Sequence, residues 1–386
     1  MSLLGSQITA RRSQMTLLQK VGQVNWGLIF LLTVLASVGF TALYSAGGGS
    51  FEPWAGRQMI RFAIGVVLMV GIAVVDLRIW YRFAYLFYGV ALVLLIAVEV
   101  AGSIGMGAQR WLDLGVIQLQ PSELMKISLV LVLARYFHGL TIEQIGRPHY
   151  LIWPTLLVLI PAALVAKQPD LGTAVLITAT GGTLFFLAGV RLWKFGVIIA
   201  GVAAAIPIGW QFLHDYQKQR VYTFLDPESD PLGAGYHIIQ SKIALGSGGL
   251  WGKGFMQGTQ SQLQFLPEKQ TDFIFTMFSE EMGFFGGVFL LGLYAVIMLY
   301  GTLIAMRSRS QFGRLMAMGI MTSFFIYAFI NMAMVMGLLP VVGVPLPLVS
   351  YGGTAMMSLL IAFGLVINAY VHRDVIIGRR GHGEEV

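Results

Sequence analysis

The amino-acid sequence predicts an all-α polytopic integral membrane protein with about ten transmembrane helices. Hydrophobic residues make up 56% of the chain and charged residues only 11%, whereas soluble domains average about 25% charged residues. Ten apolar stretches reach the roughly 20 residues that a helix needs to cross a bilayer. These stretches are residues 25–46, 58–75, 81–100, 121–138, 150–167, 171–190, 194–213, 273–303, 313–337 and 354–371.

Basic residues predict which ends of the helices face the cytoplasm. Most of the 25 lysines and arginines lie in segments on the same side as the two termini, and the positive-inside rule places such segments in the cytoplasm. The chain then divides into a cytoplasmic N-terminal tail (1–24), a membrane domain (25–371) and a cytoplasmic C-terminal tail (372–386). One long structured extracytoplasmic loop, residues 214–272, joins the seventh and eighth helices.

Charge and composition exclude several classes of function. The net charge of +7 follows from the cytoplasmic excess of basic residues and from contact with anionic lipid. Because these residues are scattered over separate turns, they do not predict nucleic-acid binding. The chain has no cysteine, which excludes disulfides and thiolate metal sites. It shows no internal repeat, so a repeat-built transporter finds no support.

The first unusual outer segment, residues 101–120, is rich in glycine and polar residues, which predicts a structured loop. Arg110 and Trp111 are its candidate contacts for a charged amphiphile. An interfacial ion pair between Arg110 and Asp113 is the alternative interpretation.

The fourth apolar stretch begins with Pro121, which suits the first turn of a helix because its missing N–H is not needed there. Glu123 and Lys126 follow three positions apart, on one face of the helix, with the acid before the base. Ionisable groups at membrane depth usually pair and face a cavity or the bundle interior. The pair therefore predicts a functional site, a structural lock between helices, or both.

A short outer turn joins the fifth and sixth stretches and carries Lys167 and Asp170. Asp170 is placed to cap the following helix, since its side chain can accept hydrogen bonds from free backbone N–H groups. Lys167 is a candidate contact for a phosphate.

The long loop contains a predicted amphipathic helix. Tyr236, Ile239 and Ile243 lie on one helical face, and Gly246 is a suitable stop. We expect this helix to lie on the membrane surface with Lys242 on its polar side. The glycine-rich residues that follow do not match a phosphate-binding P-loop, because no GKS or GKT occurs at the required spacing.

Asp272 is the strongest single indication of chemistry in the chain. It lies where the polar loop meets the eighth apolar stretch, with water on one side and a low dielectric on the other, and partial burial makes a carboxylate a stronger base. Glu280 and Glu281 follow about 12 Å deeper in the same predicted helix. For them the sequence predicts packing or a buried hydrogen bond, with a proton relay as the alternative.

Residues 338–353 carry three prolines, which break any helix. Irregular backbone at membrane depth is buried in protein or lines a cavity. Asn331, Ser350 and Tyr351 are placed to hydrogen-bond a ligand there, or to satisfy the broken backbone.

Six stretches of the chain carry a resemblance to a known family. They are GAQRWLDLG (107–115), QPSELMK (120–126), KQPDLGTA (167–174), DPESDPLGAGYHIIQSKIALGSGGL (226–250), GTQSQLQFLPEKQTDFIF (258–275) and PVVGVPLPLVSYGG (340–353). Together they resemble the SEDS family (shape, elongation, division and sporulation), and most closely its RodA branch. The resemblance extends from the third helix to the tenth.

The resemblance implies a peptidoglycan glycosyltransferase of the bacterial inner membrane that acts during cell elongation. Family members polymerise lipid II, a disaccharide-pentapeptide on undecaprenyl pyrophosphate, into glycan strands on the extracytoplasmic face. The implied partners are lipid II, the nascent glycan strand, membrane lipids and a class B penicillin-binding protein that cross-links the strands. Asp272 matches the family's essential loop aspartate, and Glu123 and Lys126 match its functionally sensitive acid and lysine on the fourth helix.

The implied reaction is an inverting displacement, because the donor sugar is α-linked to pyrophosphate and the product is β-1,4-linked. Asp272 is then the candidate general base that takes the proton of the acceptor's 4-hydroxyl. The pyrophosphate leaving group needs positive charge. The candidates are Lys126, Lys167, Arg110 and Lys242, or a divalent cation such as Mg²⁺ or Mn²⁺; whether a metal is used stays open at this point.

Two other functions are the alternatives. A flippase for the lipid-linked precursor would use Glu123, Lys126, Glu280 and Glu281 along a path across the bilayer, but the unusual polar residues are concentrated at one face. A non-catalytic scaffold of the cell-wall synthase would tolerate the loss of Asp272.

Overall fold

The computed structural model describes residues 16–105, 108–113, 115, 118–212, 215–227, 234–263, 265, 266 and 268–379. The two predicted tails and the predicted loop therefore lie partly outside the described residues. The helices are α1 (Leu17–Gly22), α2 (Trp26–Ala46), α3 (Ala55–Val74), α4 (Leu77–Ala101), α5 (Pro121–His138), α6 (Ile142–Gly146), α7 (His149–Lys167), α8 (Leu171–Ala188), α9 (Leu192–Phe212), α10 (Asp215–Leu225), α11 (Ala234–Ser247), α12 (Thr259–Gln262), α13 (Ile274–Arg307), α14 (Gln311–Val335) and α15 (Gly353–Val371). The strands are β1 (Ser103–Gly105), β2 (Ala108–Asp113) and β3 (Gln118–Leu119).

The ten longest of these helices coincide with the ten predicted apolar stretches. Eight of the ten are long and apolar enough to cross a membrane. The other two are α5, which carries Glu123, Lys126 and Arg135, and α9, whose apolar part is limited to Leu192–Pro207. The chain is thus a multi-pass helical membrane protein, as predicted.

Helix α15 forms the centre of the bundle, and most of its residues are buried. Two glycines allow α3 to approach it closely. Gly65 faces Leu360, and a Cβ built on Gly364 would lie 2.9 Å from the carbonyl oxygen of Met69. Small residues at helix interfaces let the backbones of membrane helices pack tightly. The core therefore surrounds α15, whose N-terminal end leads into the candidate site.

The two ends of the helix bundle carry different parts of the chain. Near the chain termini, the fully buried Asn368 donates from Nδ2 to the carbonyl oxygens of Ile72, Ala73 and Val75. These carbonyls belong to the last turn of α3 and to the C-cap residue that follows it, where a helix leaves its carbonyl groups without their usual partners. We call this the terminal end. The opposite end, which carries the sheet and the described residues between 215 and 273, is the loop end.

A three-stranded antiparallel sheet with the order β1-β2-β3 follows α4 at the loop end. Its second pairing aligns Leu112 with Leu119. This sheet is the structured loop that was predicted for residues 101–120, and it adds a small β element to the all-α prediction. It brings Arg110, on β2, to the turn that precedes α8.

Helix α13 is broken at Gly283, whose φ of 69° lies in the left-handed region. Residues 248–254 fill the break and supply backbone hydrogen bonds that the interrupted helix lacks. These bonds are Lys253 N–H to Glu280 O (3.1 Å), Gly254 N–H to Glu281 O (3.0 Å), Phe284 N–H to Gly249 O (2.9 Å) and Phe285 N–H to Leu250 O (3.2 Å). The predicted continuous helix 273–303 is therefore wrong: residues 274–282 form a separate short helix, and residues 284–307 alone have membrane length.

Helix α11 packs against this short helix through small residues. The Ser241 hydroxyl lies 2.7 Å from the Thr276 hydroxyl and also contacts the Val335 carbonyl oxygen at 2.7 Å. Ser241 and Ala244 are fully buried, whereas Ile243 is 46% exposed. The predicted helix is therefore confirmed, and the side that it packs against protein carries the small residues; its position on the membrane surface stays a prediction.

Candidate active site

Asp272 lies in the turn that precedes α13, and α14 holds its backbone. Asn331 on α14 donates from Nδ2 to the carbonyl oxygens of Asp272 (2.9 Å) and Val344 (2.7 Å). The Asp272 carboxylate faces Gly343, since a Cβ built on that glycine would lie 3.6 Å from Oδ2. Asp272 is half-buried. Its carboxylate thus stands, partly exposed, against residues 338–352, which we call the proline segment.

A second set of bonds ties the same turn to the proline segment. Ser350 Oγ donates to the Thr271 carbonyl oxygen (2.6 Å) and accepts from the Leu346 N–H (2.7 Å). The Tyr351 N–H donates to the Gln270 carbonyl oxygen (2.8 Å). The structure thus brings Ser350 beside the turn of the predicted base, whereas its role as a substrate contact stays a prediction.

Gln58 on α3 supports the proline segment and was missed by the sequence reasoning. Its fully buried amide donates to the Ser350 carbonyl oxygen (2.9 Å) and accepts from the Gly352 N–H (3.5 Å). The sequence did indicate that Gln58 is buried in protein, because it is a polar residue within an apolar helix and such residues in membranes usually face the protein interior. Nothing local in the sequence identified its partner.

Glu123 and Lys126 form the predicted ion pair, with Nζ 2.6 Å from Oε1 and side chains only 10% and 7% exposed. Ser358 on α15 donates to Glu123 Oε2 (2.8 Å). Tyr327 on α14 donates to Oε1 (3.3 Å), and its ring lies 4.1 Å from the Lys126 ammonium. The pair therefore joins α5, α14 and α15. This confirms that it links helices, as one of its two predicted roles, whereas its role in function stays a prediction.

The ion pair also lines a cavity of about 60 Å³ between these three helices and the proline segment. Glu123, Lys126, Tyr327 and Ser358 belong to its polar part. Its other walls are mainly apolar side chains of α5, α14, α15 and the proline segment. Ser350 contributes to the same cavity. The cavity therefore extends from the ion pair to the proline segment, which holds the turn of Asp272.

Arg110 pairs with Asp170 and not with Asp113. Its Nε lies 3.8 Å from Asp170 Oδ2, whereas Asp113 accepts from the Gly115 N–H (2.9 Å). The alternative pairing of Arg110 with Asp113 was therefore wrong. Asp170 also accepts from the Thr173 N–H (3.2 Å), which confirms its predicted role as the N-cap of α8.

Asp170 links Arg110 to the buried ion pair. It is itself buried, and its negative charge acts on Lys126. The four side chains form a series of alternating charges that runs from the partly exposed Arg110 to the buried Glu123. This series offers positive charge both at the surface and inside the cavity.

Gly172 lets the turn before α8 approach the proline segment. A Cβ at this position would lie 2.6 Å from the Val342 carbonyl oxygen, which is well inside ordinary contact distance. The absence of a side chain thus sets the spacing between the Arg110–Asp170 pair and the backbone that faces Asp272.

Gly172→Ala should lower the free energy of unfolding by about 1–3 kcal/mol, the usual cost of overpacking, because the added methyl group meets a backbone oxygen. Gly182→Ala is the matched control: it lies in the same helix with nothing within 4 Å of its Cβ. The control should be neutral or stabilising by about 0.5–1 kcal/mol. Thermal unfolding in detergent compares the two, and equal shifts in Tm would contradict the tight contact.

The other two predicted cations lie apart from this charge series. Lys167 pairs with Glu99 at 2.8 Å, and its side chain is 72% exposed. Lys242 is exposed on α11, where its side chain packs against Gly337. Among the described residues it has no hydrogen-bond or ion-pair partner, so its ammonium is available to a ligand.

Glu280 holds the long loop against the short helix 274–282. This fully buried carboxylate accepts from Lys253 Nζ (2.7 Å), Thr259 Oγ1 (3.1 Å) and the Gln260 N–H (3.0 Å). All three donors belong to the loop, so Glu280 lies at the loop end and not deeper in a continuous membrane helix. The buried hydrogen bond is the interpretation that its geometry supports.

Glu281 joins the same region to α2 and to the turn of Asp272. Its carboxylate accepts from Ser45 Oγ at the end of α2. Burial lowers the pKa of Lys269, and the negative charge of Glu281 opposes that shift. Lys269 Nζ donates to the Ser261 carbonyl oxygen (2.8 Å), which anchors the turn three positions before Asp272.

Comparisons with known proteins give a consistent picture. Residues 20–375 match the family of FtsW, RodA and SpoVE, described as cell cycle proteins. The chain is 49% identical over 354 residues to the peptidoglycan glycosyltransferase MrdB of Escherichia coli (strain K12), which covers 90% of this chain and 94% of that protein.

Two solved structures are similar along most of the chain. One belongs to a peptidoglycan synthase complex described for its structural coordination of polymerization and crosslinking, with a TM-score of 0.76, 33% identity, and coverage of 91% of this chain and 98% of that one. The other is the crystal structure of the rod shape determining protein RodA of Thermus thermophilus, with a TM-score of 0.68, 28% identity, and coverage of 91% and 97%.

Proposed function

The chain belongs to the FtsW–RodA–SpoVE family of cell cycle proteins, and we propose that it polymerises lipid II into the glycan strands of peptidoglycan during cell elongation. It is an enzyme, a peptidoglycan glycosyltransferase. The observation that carries the lipid II proposal is the half-buried Asp272 carboxylate, held against the proline segment beside a cavity with one polar part and apolar walls.

The cavity has the chemistry of an amphiphile site. Its polar part contains the Lys126 ammonium, and its apolar walls suit a hydrocarbon chain. A lipid-linked sugar pyrophosphate presents the same combination of charge and apolar tail. The ion pair with Glu123 keeps Lys126 oriented toward this space, which supports its assignment to substrate binding.

In the proposed reaction Asp272 is the general base. It takes the proton of the acceptor sugar's 4-hydroxyl while that oxygen bonds to the anomeric carbon of the donor. The bond from the anomeric carbon to undecaprenyl pyrophosphate breaks, and the pyrophosphate leaves with the electron pair. Because attack comes from the side opposite the leaving group, the configuration is inverted.

Positive charge stabilises the pyrophosphate as it leaves. Arg110 and Lys126 belong to the charge series beside the site, and Lys242 has no ion-pair partner among the described residues. Lys167 is a weaker candidate because its pair with Glu99 lies apart from this charge series. Ser350 completes the proposed substrate-binding set through its position on the cavity wall.

A divalent cation, Mg²⁺ or Mn²⁺, is part of the proposal. No group of three or more histidines, cysteines, aspartates or glutamates in the described chain is placed to hold a metal ion. Mg²⁺ commonly keeps several waters and binds through substrate phosphates with one or two protein carboxylates, so the phosphates of a bound substrate would supply most of its protein-independent ligands. The cation would supply charge neutralisation for the leaving group.

The proposed location is the bacterial inner membrane, with cytoplasmic termini and the loop end on the extracytoplasmic face. The distribution of basic residues supports this orientation. The proposed protein partner is a class B penicillin-binding protein transpeptidase. It is supported by the structural similarity to a chain of a peptidoglycan synthase complex that coordinates polymerization and crosslinking.

The test is polymerisation of labelled lipid II by the purified full-length chain together with its transpeptidase partner. We expect long glycan products that need both the enzyme and lipid II. EDTA should lower the yield, and added Mg²⁺ should restore it. A folded, partner-bound complex that binds lipid II without forming product would refute the proposal. Movement of labelled lipid II across vesicles would then indicate a flippase, and its absence a scaffold.

A further inference from the structure

The side-chain amide of Asn331 has a single satisfactory orientation. The residue is fully buried on α14, and its Nδ2 lies 2.9 Å from the Asp272 carbonyl oxygen and 2.7 Å from the Val344 carbonyl oxygen. Both neighbours are acceptors, so the nitrogen and not the oxygen must face them. Oδ1 has no hydrogen-bond partner among the described residues. Asn331 therefore uses both of its amide hydrogens on these two carbonyls.

The two carbonyls belong to the two chain segments that meet at the Asp272 carboxylate. One belongs to Asp272 itself. The other belongs to Val344, the neighbour of Gly343, which faces the carboxylate. A single side chain thus joins the base to the backbone that its carboxylate faces. The bond is made to the main chain of Asp272, so Asn331 does not occupy the carboxylate.

The chain contains a second asparagine with the same chemistry at the other end of the bundle. Asn368 is also fully buried, donates its Nδ2 hydrogens to backbone carbonyls of α3, and has no hydrogen-bond partner for Oδ1 among the described residues. Loss of either amide removes similar bonds from a similar environment. A loss of activity that follows substitution of Asn331 but not of Asn368 must therefore come from the position of Asn331 beside Asp272.

We propose that Asn331 is a positioning residue for glycosyl transfer, which acts through the main chain to hold Asp272 against the proline segment. This inference rests on the proposed function, because it takes Asp272 as the base. Asn331 does not touch the substrate. Its contribution is orientation, and a misplacement of about 1 Å can cost on the order of 10²-fold in rate.

The test compares Asn331→Leu with Asn368→Leu in the lipid II polymerisation assay, using the full-length chain and its partner. Leucine has a similar size but no hydrogen to donate. Asn331→Leu should lower kcat by about 10–100-fold with KM for lipid II nearly unchanged. Asn368→Leu should lower Tm by a comparable amount and keep the wild-type kcat when assayed well below its Tm.

Asn331→Ala serves as a second variant in case the leucine protein does not fold. It removes the donating nitrogen without adding bulk or charge, so kcat should again fall while KM holds. Wild-type kcat in either folded Asn331 variant would overturn the proposal, as would equal losses of kcat in the Asn331 and Asn368 variants. An inactive wild-type protein in the same assay would count against the proposed function instead.

Discussion

Asp272→Asn should abolish useful glycan polymerisation while the protein still folds and binds lipid II. The change preserves the shape of the side chain but removes its ability to take a proton, and a general base contributes typically 10²–10⁴-fold. The initial rate with labelled lipid II should fall by about that factor. The bond from Asn331 reaches the Asp272 carbonyl oxygen, so the substitution leaves that anchor in place and Tm should change little.

Asp76→Asn is the matched control for this experiment. Asp76 caps α4, where its side chain accepts from the Arg78 N–H (2.8 Å), and asparagine is an equally good N-cap. The same chemical change at the terminal end should leave both rate and Tm at their wild-type values. A wild-type rate in Asp272→Asn would refute the base assignment, and a loss of lipid II binding would assign Asp272 to binding instead.

Lys126→Met should be strongly destabilising. It leaves Glu123 buried without its ammonium partner, and breaking a buried ion pair costs about 3–5 kcal/mol. The hydroxyl groups of Ser358 and Tyr327 still reach the carboxylate, but neither carries a compensating charge. Unfolding followed by denaturant titration in detergent should show the loss, and polymerisation should fall with it.

The double variant Glu123→Gln/Lys126→Met separates the two interpretations of this pair. It removes both charges, and glutamine can still accept from Ser358, so a large part of the lost stability should return. If the pair also binds substrate, polymerisation stays low in the stable double variant. Recovery of both stability and rate would make the pair a structural lock alone. A single variant as stable as the wild type would contradict the burial of the pair.

The membrane helices could be predicted because hydrophobic length is a local property of the sequence. Asp272, Glu123 and Lys126 could be singled out for a related reason, since charge next to or within an apolar stretch is costly unless it is paired or used. The break at Gly283 could not be predicted, because glycine is common in membrane helices. What opens the helix there is a loop segment supplied by the tertiary fold.

The interaction partners of the site residues were harder to predict than the site residues themselves. Both Asp113 and Asp170 were available to Arg110, and the choice of Asp170 depends on β2 lying beside the turn before α8. Asn331 was noted, but not the two carbonyls that it joins. Interactions between residues far apart in the chain depend on which helices become neighbours, and that is decided by packing.

The break in α13 has a consequence for how this region opens and closes. The backbone bonds across Gly283 join residues 248–254 to both halves of the helix. Unfolding of the loop segment therefore also breaks hydrogen bonds of the two helix ends. Glu280 adds side-chain bonds between the same two parts. We therefore expect residues 248–254 and the helix ends at 280–285 to open as one cooperative unit in the native state, so that local unfolding of this part of the loop also releases the short helix that follows Asp272.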